Sequence, residues 1–365
     1  MYNKVLVVSN MYPSKGFPSY GVFVRNSCEQ LGDLGVRYDI SVLTKTNNKL
    51  VKILKYILFY VLTFLKCLCG KYDLVYVHYP SFSARPVLIA RHFRKFEMIT
   101  NIHGTDAAPQ TPQQEKMLKY TVAAMKCSKA VVVPSVYFKH LLIAKYHVTG
   151  DRILVYPSGG IDEKLFYEFD PERKQQLKQE YGVDQSECVI GFVSHILKIK
   201  GWDVFVDALE QCAELRNRKV SVLMVGSGAE DALLAERLAN LPDDLKKKII
   251  RFPQVDQQKL AELYNLMDVF VFPTVCRESL GLVAIEAMAC GAPVFASDYA
   301  APKHYVINAF NGYKFEKGNA GALAKLLENY LTGKADREAL KKGAKETASQ
   351  YSREKARESL KTLFQ

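Results

Sequence analysis

Several things are missing from this 365-residue chain. Its eight cysteines (Cys28, Cys67, Cys69, Cys127, Cys188, Cys212, Cys276 and Cys290) are scattered without one C-x-x-C pair. That spacing removes a zinc ribbon or a thioredoxin-type centre and fits free thiols in a reducing compartment. No Asp-x-Asp and no His-Glu-x-x-His occurs, so the familiar carboxylate and histidine metal frames are absent. No G-x-G-x-x-G follows a strand. The nearest string, "GSGAED", has only Gly226 and Gly228, which sets aside a nicotinamide dehydrogenase. The N-terminus "MYNKVLVVSNMYP" runs straight into a strand-like segment, without the longer apolar core of a secretory leader. There is no low-complexity tract and no sustained heptad.

Acid is scarce in one half only. Residues 1–165 hold 22 Lys and Arg against 10 Asp and Glu, and the remainder holds 28 of each, so the whole net charge of +12 lies in the first half. Such asymmetry points to an anionic partner there: a membrane surface, a nucleic acid or a phosphorylated acceptor. No nucleic-acid motif accompanies it, which disfavours the second.

What is present is a regular alternation. Short β-branched runs are expected as strands at 5–9, 40–44, 74–78, 98–103, 130–134 and 153–156. A second series is expected at 188–193, 220–225, 249–252, 269–273 and 294–297. Helical patterns lie between them, for example over 202–215, where Phe205, Leu209 and Cys212 share one face. The reading is an α/β chain of two Rossmann-like domains, 1–168 and 169–349, with the polar stretch 163–187 at the boundary. An amphipathic terminal helix over 350–365 is assigned to the first domain.

One stretch stands out. "RESLGLVAIEAMACGAPVFAS" carries Glu278 and Glu286 among residues that are otherwise apolar or small. A helix over 280–290, stopped by Gly291 and Pro293, would put Glu278 just before its N-terminus and Glu286 inside it. Helix N-termini present free N–H groups to phosphate, and Gly281 allows close approach. Glu286 has no polar face to belong to, so it needs a partner: an internal one, or ribose hydroxyls.

"ESLGLVAIEAMACGAPV" resembles the E-x7-E signature of retaining, GT-B-fold glycosyltransferases of the family 4 type. "GFVSHILKIKGWDVFVDAL", "VSVLMVGSGAEDALL" and "LAELYNLMDVFVFPT" resemble that family's other segments in the same order. "YPSKGFPSYGVFV", "NIHGTD" and "YPSGGIDEKLF" are similar to its first-half elements. The resemblance implies two domains facing across a cleft and transfer of a sugar from a nucleotide-sugar donor. Glu286 would hold the ribose, and Glu278 the donor sugar. Ser279, Leu280, Gly281, Leu282 and Val283 would face diphosphate and sugar. Lys200 would neutralise the leaving diphosphate, where from sequence alone it is an ordinary loop lysine. His103 would contact the donor sugar, where from sequence alone it is a strand-end histidine with a structural hydrogen bond. Gly21 would lie against the diphosphate, and backbone near Val255 and Asp256 against the base. The family usually has Arg where His195 stands, which leaves open a non-catalytic relative that binds a nucleotide sugar or a partner. With no metal frame, no metal and no cofactor are expected, and Lys200 and the helix dipole carry the phosphate charge.

The segment 45–71 is basic and greasy, with no acid between 40 and 72. The ten uncharged residues between Lys55 and Lys66 are too few for a bilayer span of about 20. At helical spacing Lys49, Lys52, Lys55 and Lys66 fall on one side. That fits a helix lying in a membrane interface, or one packed on the first sheet with its lysines in solvent. The functional expectation is a cytoplasmic transferase, peripheral on the inner membrane face, acting on a glycan or lipid-linked acceptor.

Overall fold

The computed structural model describes Tyr2, residues 4–18 and residues 20–364. The chain divides into two compact units, one of residues 1–160 and 353–365, the other of residues 161–352.

The first unit is a parallel sheet of six strands in the order β2-β1-β3-β4-β5-β6. They are β1 (Val5–Tyr12), β2 (Tyr38–Thr44), β3 (Leu74–His78), β4 (Glu97–Asn101), β5 (Ala130–Val133) and β6 (Ile153–Val155). The central strands are buried on both faces, as a parallel sheet covered by helices requires. The helices are α1 (Val22–Asp33), α2 (Lys49–Cys69), α3 (Pro80–Ala90), α4 (Pro112–Cys127) and α5 (Val136–Tyr146). Side-chain caps start several of them: Asn48 accepts from Leu50 and Val51, Thr111 forms a capping box with Gln114, and Ser135 accepts from Phe138. Chain order reverses direction across the sheet between β1 and β3.

The second unit repeats the scheme with strand order β12-β11-β10-β7-β8-β9. Its strands are β7 (Cys188–Val193), β8 (Val220–Val225), β9 (Ile249–Phe252), β10 (Val269–Phe272), β11 (Val294–Ser297) and β12 (Gly312–Phe315). Its helices are α6 (Pro171–Glu180), α7 (Trp202–Gln211), α8 (Glu214–Asn217), α9 (Asp231–Ala239), α10 (Asp243–Lys246), α11 (Gln257–Leu266), α12 (Leu282–Ala289), α13 (Pro302–Tyr305), α14 (Ala320–Leu331) and α15 (Arg337–Ser349). The last helix, α16 (Arg353–Phe364), belongs to the first unit. Its Ala356, Leu360 and Phe364 complete the core around Val5, Leu74 and Tyr76.

Three expectations need correction, and one strand was not expected. The division falls at Gly160/Ile161 rather than after 168, because Phe166 packs on Tyr264 and Glu168 is held by Lys174, Lys341 and Lys345, all in the second unit. Likewise the return to the first unit comes at Arg353, three residues after the expected 350. The helix expected over 202–215 ends at Gln211, and a separate turn of helix follows from Glu214. The short edge strand β12, with polar and glycine residues, carries too little hydrophobic pattern to be read as one.

Segment 45–71 contains the 21-residue helix α2, but its lysines do not share one solvent side. Lys55 Nζ donates to Thr44 Oγ1 (2.9 Å), and Lys66 Nζ to the Ile40 carbonyl (2.8 Å). Both lie along β2, an edge strand whose open carbonyls attract cations. Lys49 and Lys52, in the first turns, stay exposed, and the rest of the solvent face is apolar, with Leu50 73% and Leu54 65% exposed. No helix among the described residues is long and apolar enough to cross a membrane.

Candidate active site

In a doubly wound sheet, ligands bind beyond the C-terminal ends of the strands where chain order reverses. In the second unit that point lies between β7 and β10. Two loops leave there, 194–201 after β7 and 273–281 after β10, and they are bound to each other. The Ile199 carbonyl accepts from the Val275 and Cys276 amides, both at 3.0 Å. Gly201 turns with φ +79°, and a Cβ on it would stand 2.0 Å from the Pro273 carbonyl oxygen, so no larger residue allows the two loops this close.

This contact brings together two residues 78 positions apart. Lys200 Nζ lies 2.6 Å from Glu278 Oε1, with the side chains 23% and 12% exposed. Thr274 Oγ1 (3.1 Å) and Cys276 Sγ (3.3 Å) donate to the same oxygen. All three donors use Oε1, and Oε2 is not engaged by them. Burial opposes the Lys200 ammonium most strongly. The Glu278 carboxylate and Cys276 outweigh it and hold the pKa above the ordinary lysine value.

The loop leads into α12 through Gly281, at φ +87°. The helix begins at Leu282, two residues later than expected, so Ser279, Leu280 and Gly281 are loop. The Leu282 and Val283 amides open the helix, where the first-turn N–H groups have no intrahelical acceptor. Glu286 lies one turn on, partly buried. Its Oε2 accepts from the Tyr264 hydroxyl at 3.1 Å, which answers the need for a partner. Burial pushes its carboxyl up to about 7, against the lowering effect of that hydrogen bond.

The neighbouring loops are tied in. Glu230, after β8, accepts from the Lys198 amide (2.6 Å) and Trp202 Nε1 (2.8 Å). The Gln254 amide donates to Ser227 Oγ at 3.1 Å, which seats Val255 and Asp256 on the same edge. Asp256 also caps α11 by accepting from the Lys259 amide. His195 is exposed and forms no ion pair or hydrogen bond through its side chain among the described residues.

Sequence reasoning missed Tyr305. It is 4% exposed, its hydroxyl has no hydrogen-bond partner among the described residues, and that oxygen would stand 3.1 Å from a Cβ placed on Gly281. A buried orphan hydroxyl is costly, which marks a position that a ligand can satisfy. Sequence carried one faint signal, an aromatic in "YAAPKHYV" just past the last donor strand.

In the first unit, the helix that Gly21 opens reaches His103 through one ring. Gly21 opens α1 with φ +77°, and Phe23 two residues on packs against His103 with the rings tilted by 38° and 4.3 Å between centroids. His103 lies two residues beyond β4, not at its end. Its loop is pinned by the buried Asp106, which accepts from the His103 and Gly104 amides. His103 Nε2 and His78 Nδ1 are 3.1 Å apart. Burial lowers the His103 pKa to about 3 and holds His78 well below its usual range, so both rings are neutral at pH 7.

Residues 173–347 match the family described as Glycosyl transferases group 1, and residues 19–163 match Glycosyltransferase Family 4. N-acetyl-alpha-D-glucosaminyl L-malate synthase of Bacillus anthracis is 26% identical over 258 residues, 69% of this chain and 63% of that protein. The capsular polysaccharide biosynthesis glycosyltransferase CapM of Staphylococcus aureus is 26% identical over 66% of this chain and 62% of its own length. The chain thus spans somewhat under two thirds of the length of these two relatives. The structure of HepE from Anabaena, in complex with UDP and glucose, superposes with a TM-score of 0.76 at 18% identity over 99% of both chains.

Proposed function

Since this chain belongs to the family 4 type of GT-B glycosyltransferases, we propose that it moves a sugar from a nucleotide-sugar donor to a glycan acceptor with retention of configuration. A UDP-sugar is favoured, because the similar HepE binds UDP and glucose. The likeness to CapM supports a role in bacterial surface polysaccharide, with a lipid-linked acceptor at the cytoplasmic membrane face.

The observation that carries this reading is the Lys200–Glu278 pair at the β7/β10 switch point, beside the N-terminus of α12. Glu278 Oε2 accepts from donor-sugar hydroxyls, and Glu286 accepts from ribose. The Leu282 and Val283 amides and the helix dipole bind the diphosphate. When donor enters, Lys200 exchanges its carboxylate partner for the diphosphate, where negative charge grows as the glycosidic bond breaks. These groups supply the positive charge that a divalent ion would otherwise provide, and the sequence offers no Asp-x-Asp to hold one. His103, neutral and oriented by His78, contacts the donor sugar as a hydrogen-bonding group rather than a cation. The bond from C1 to the diphosphate oxygen breaks as the bond to the acceptor oxygen forms on the same face. The acceptor proton passes to the leaving phosphate oxygen.

The test is a panel of UDP-, GDP-, ADP- and dTDP-sugars, with chelator and without added metal. It is scored by thermal shift and by slow release of nucleoside diphosphate. One donor that both stabilises and hydrolyses is the expected result. No response to any donor overturns the transferase reading. Stabilisation without release, unrepaired by His195→Arg, leaves the non-catalytic relative.

A further inference from the structure

The first unit has its own switch point, between β1 and β3, and a recess of about 670 Å³ opens there. Asn10 and Met11 at the end of β1 and Tyr79 just after β3 form its floor. Its walls are aromatic: Tyr20, Tyr56, Tyr60 and Phe82. The Tyr79 and Phe82 rings lie nearly parallel, 20° apart at 6.1 Å, and Tyr56 meets Tyr60 edge-on. Asn10 Nδ2 donates to the Tyr56 hydroxyl at 3.2 Å, so a polar network lies beneath the rings. Flat rings with polar tips suit a sugar, which has apolar C–H faces and a hydroxyl rim.

Beside the recess runs a groove of about 600 Å³ between α2 and α3, walled by Ile57, Val61, Phe64, Leu65, Pro86 and Ile89. Arg85 lines both the recess and the groove. It is exposed, lies 6.0 Å from the Tyr120 ring, and forms no ion pair among the described residues. No carboxylate among the described residues lines either space, and Lys52 adds a second cation to the recess. The groove opens onto the exposed apolar face of α2, where Ile57 and Leu58 are each 57% exposed, and Phe93 beyond α3 is 72% exposed. A solvent-facing apolar patch of this extent marks a docking surface.

We propose that this track is the acceptor site, and that its occupant is a membrane lipid whose head is a sugar joined to phosphate. The sugar sits in the aromatic recess, the phosphate on Arg85, and the first part of the chain in the groove, while α2 lies in the bilayer interface. The order along the protein (polar recess, unpaired cation, apolar groove, apolar helix face) is the order of groups along such a lipid. A soluble acceptor would leave the groove and the α2 face without a role. The proposal rests on the transferase reading and specifies its acceptor.

The test is flotation of the full chain with three vesicle types: phosphatidylcholine alone, phosphatidylcholine with phosphatidylglycerol, and phosphatidylcholine with a polyprenyl diphosphate hexosamine at equal surface charge. Binding is expected to be strongest to the third. Arg85→Glu is expected to weaken that binding about tenfold, the loss of one charged hydrogen-bonding partner. Ile57→Glu combined with Val61→Glu is expected to remove binding to all vesicles. All three positions are at the surface, and an unchanged thermal midpoint shows that the variants fold. Equal binding to the second and third vesicles overturns the proposal, as does an Arg85→Glu variant that keeps the preference. Vesicle binding left intact while Ile57→Glu with Val61→Glu turns a dimer into a monomer also overturns it, and assigns the face to a second copy. Donor response is read on the same wild-type preparation. Its loss refutes the transferase reading, whereas intact donor response without lipid preference refutes only this site.

Discussion

Replacing Lys200 separates catalysis from stability. The ammonium is held at a partly buried position 2.6 Å from Glu278. At ~4 Å from a developing phosphate charge, with an effective dielectric near ~20, it contributes up to ~4 kcal/mol. Removing one preorganised donor of this kind typically costs ~3–4 kcal/mol, so Lys200→Ala should lower kcat about 10²- to 10³-fold. The stability cost is smaller. The pair is more enclosed than a surface ion pair but not fully buried, and Thr274 and Cys276 continue to satisfy Glu278. Its loss should cost ~1–2 kcal/mol, a fall of about 2–8 °C in Tm. Lys200→Met, which keeps the aliphatic stem, should lose turnover equally with a smaller fall in Tm. The assay is nucleoside diphosphate release at saturating donor, alongside the melting curve. Turnover within about threefold of wild type would remove Lys200 from the mechanism, as would a loss explained wholly by the unfolded fraction.

Two further perturbations probe the donor side. Glu286 has a folded pKa of about 7 against a reference of 4.5. The folded state therefore holds that proton more tightly than the unfolded one. Stability from this group is present below about 4.5 and is lost as pH rises toward about 7. Glu286→Gln should flatten this slope in chemical denaturation across that window; an unchanged slope refutes the burial argument. Glu286→Ala should weaken donor binding about 10- to 100-fold in calorimetry, and unchanged affinity would end the ribose role. Tyr305→Phe should move two observables in opposite directions. Removing the orphan hydroxyl should stabilise the free protein by about 1 kcal/mol, while donor affinity falls severalfold. A Tm that falls, or affinity that is unaltered, would contradict a ligand-facing hydroxyl.

Much of the architecture was legible in the chain. Ten of the eleven expected strands lie within two residues of the observed bounds at both ends, and only β1 departs further, its C-terminal end running three residues on. The buried parallel strands are short apolar runs rich in valine, isoleucine and aromatic residues, and that signal is local. Glu278 in the loop and Glu286 in the helix were likewise readable, because Gly291 and Pro293 mark the helix end. The strand β12 was not legible: its partner, β11, supplies the backbone pairing that its own composition does not announce. Nor was Tyr305, whose importance comes from an unsatisfied hydroxyl beside Gly281 and not from any neighbour in sequence.

Helix α2 shows the same divide. Periodicity placed four lysines on one side, and helical spacing does so for any such pattern. Which way that side turns depends on what lies beside it. The open edge of β2, with the Ile40 and Thr44 carbonyls, draws in Lys66 and Lys55 and leaves Ile53, Leu54 and Leu58 outward. Element type, element order and the excess of cations in the first half follow from residue identity, since propensity, spacing and formal charge are properties of the chain alone. The pairing of Lys200 with Glu278, the packing of Phe23 on His103 and the largely apolar outer face of α2 arise from contacts between residues far apart in sequence. Such contacts are set by strand order and loop packing, which no local stretch encodes.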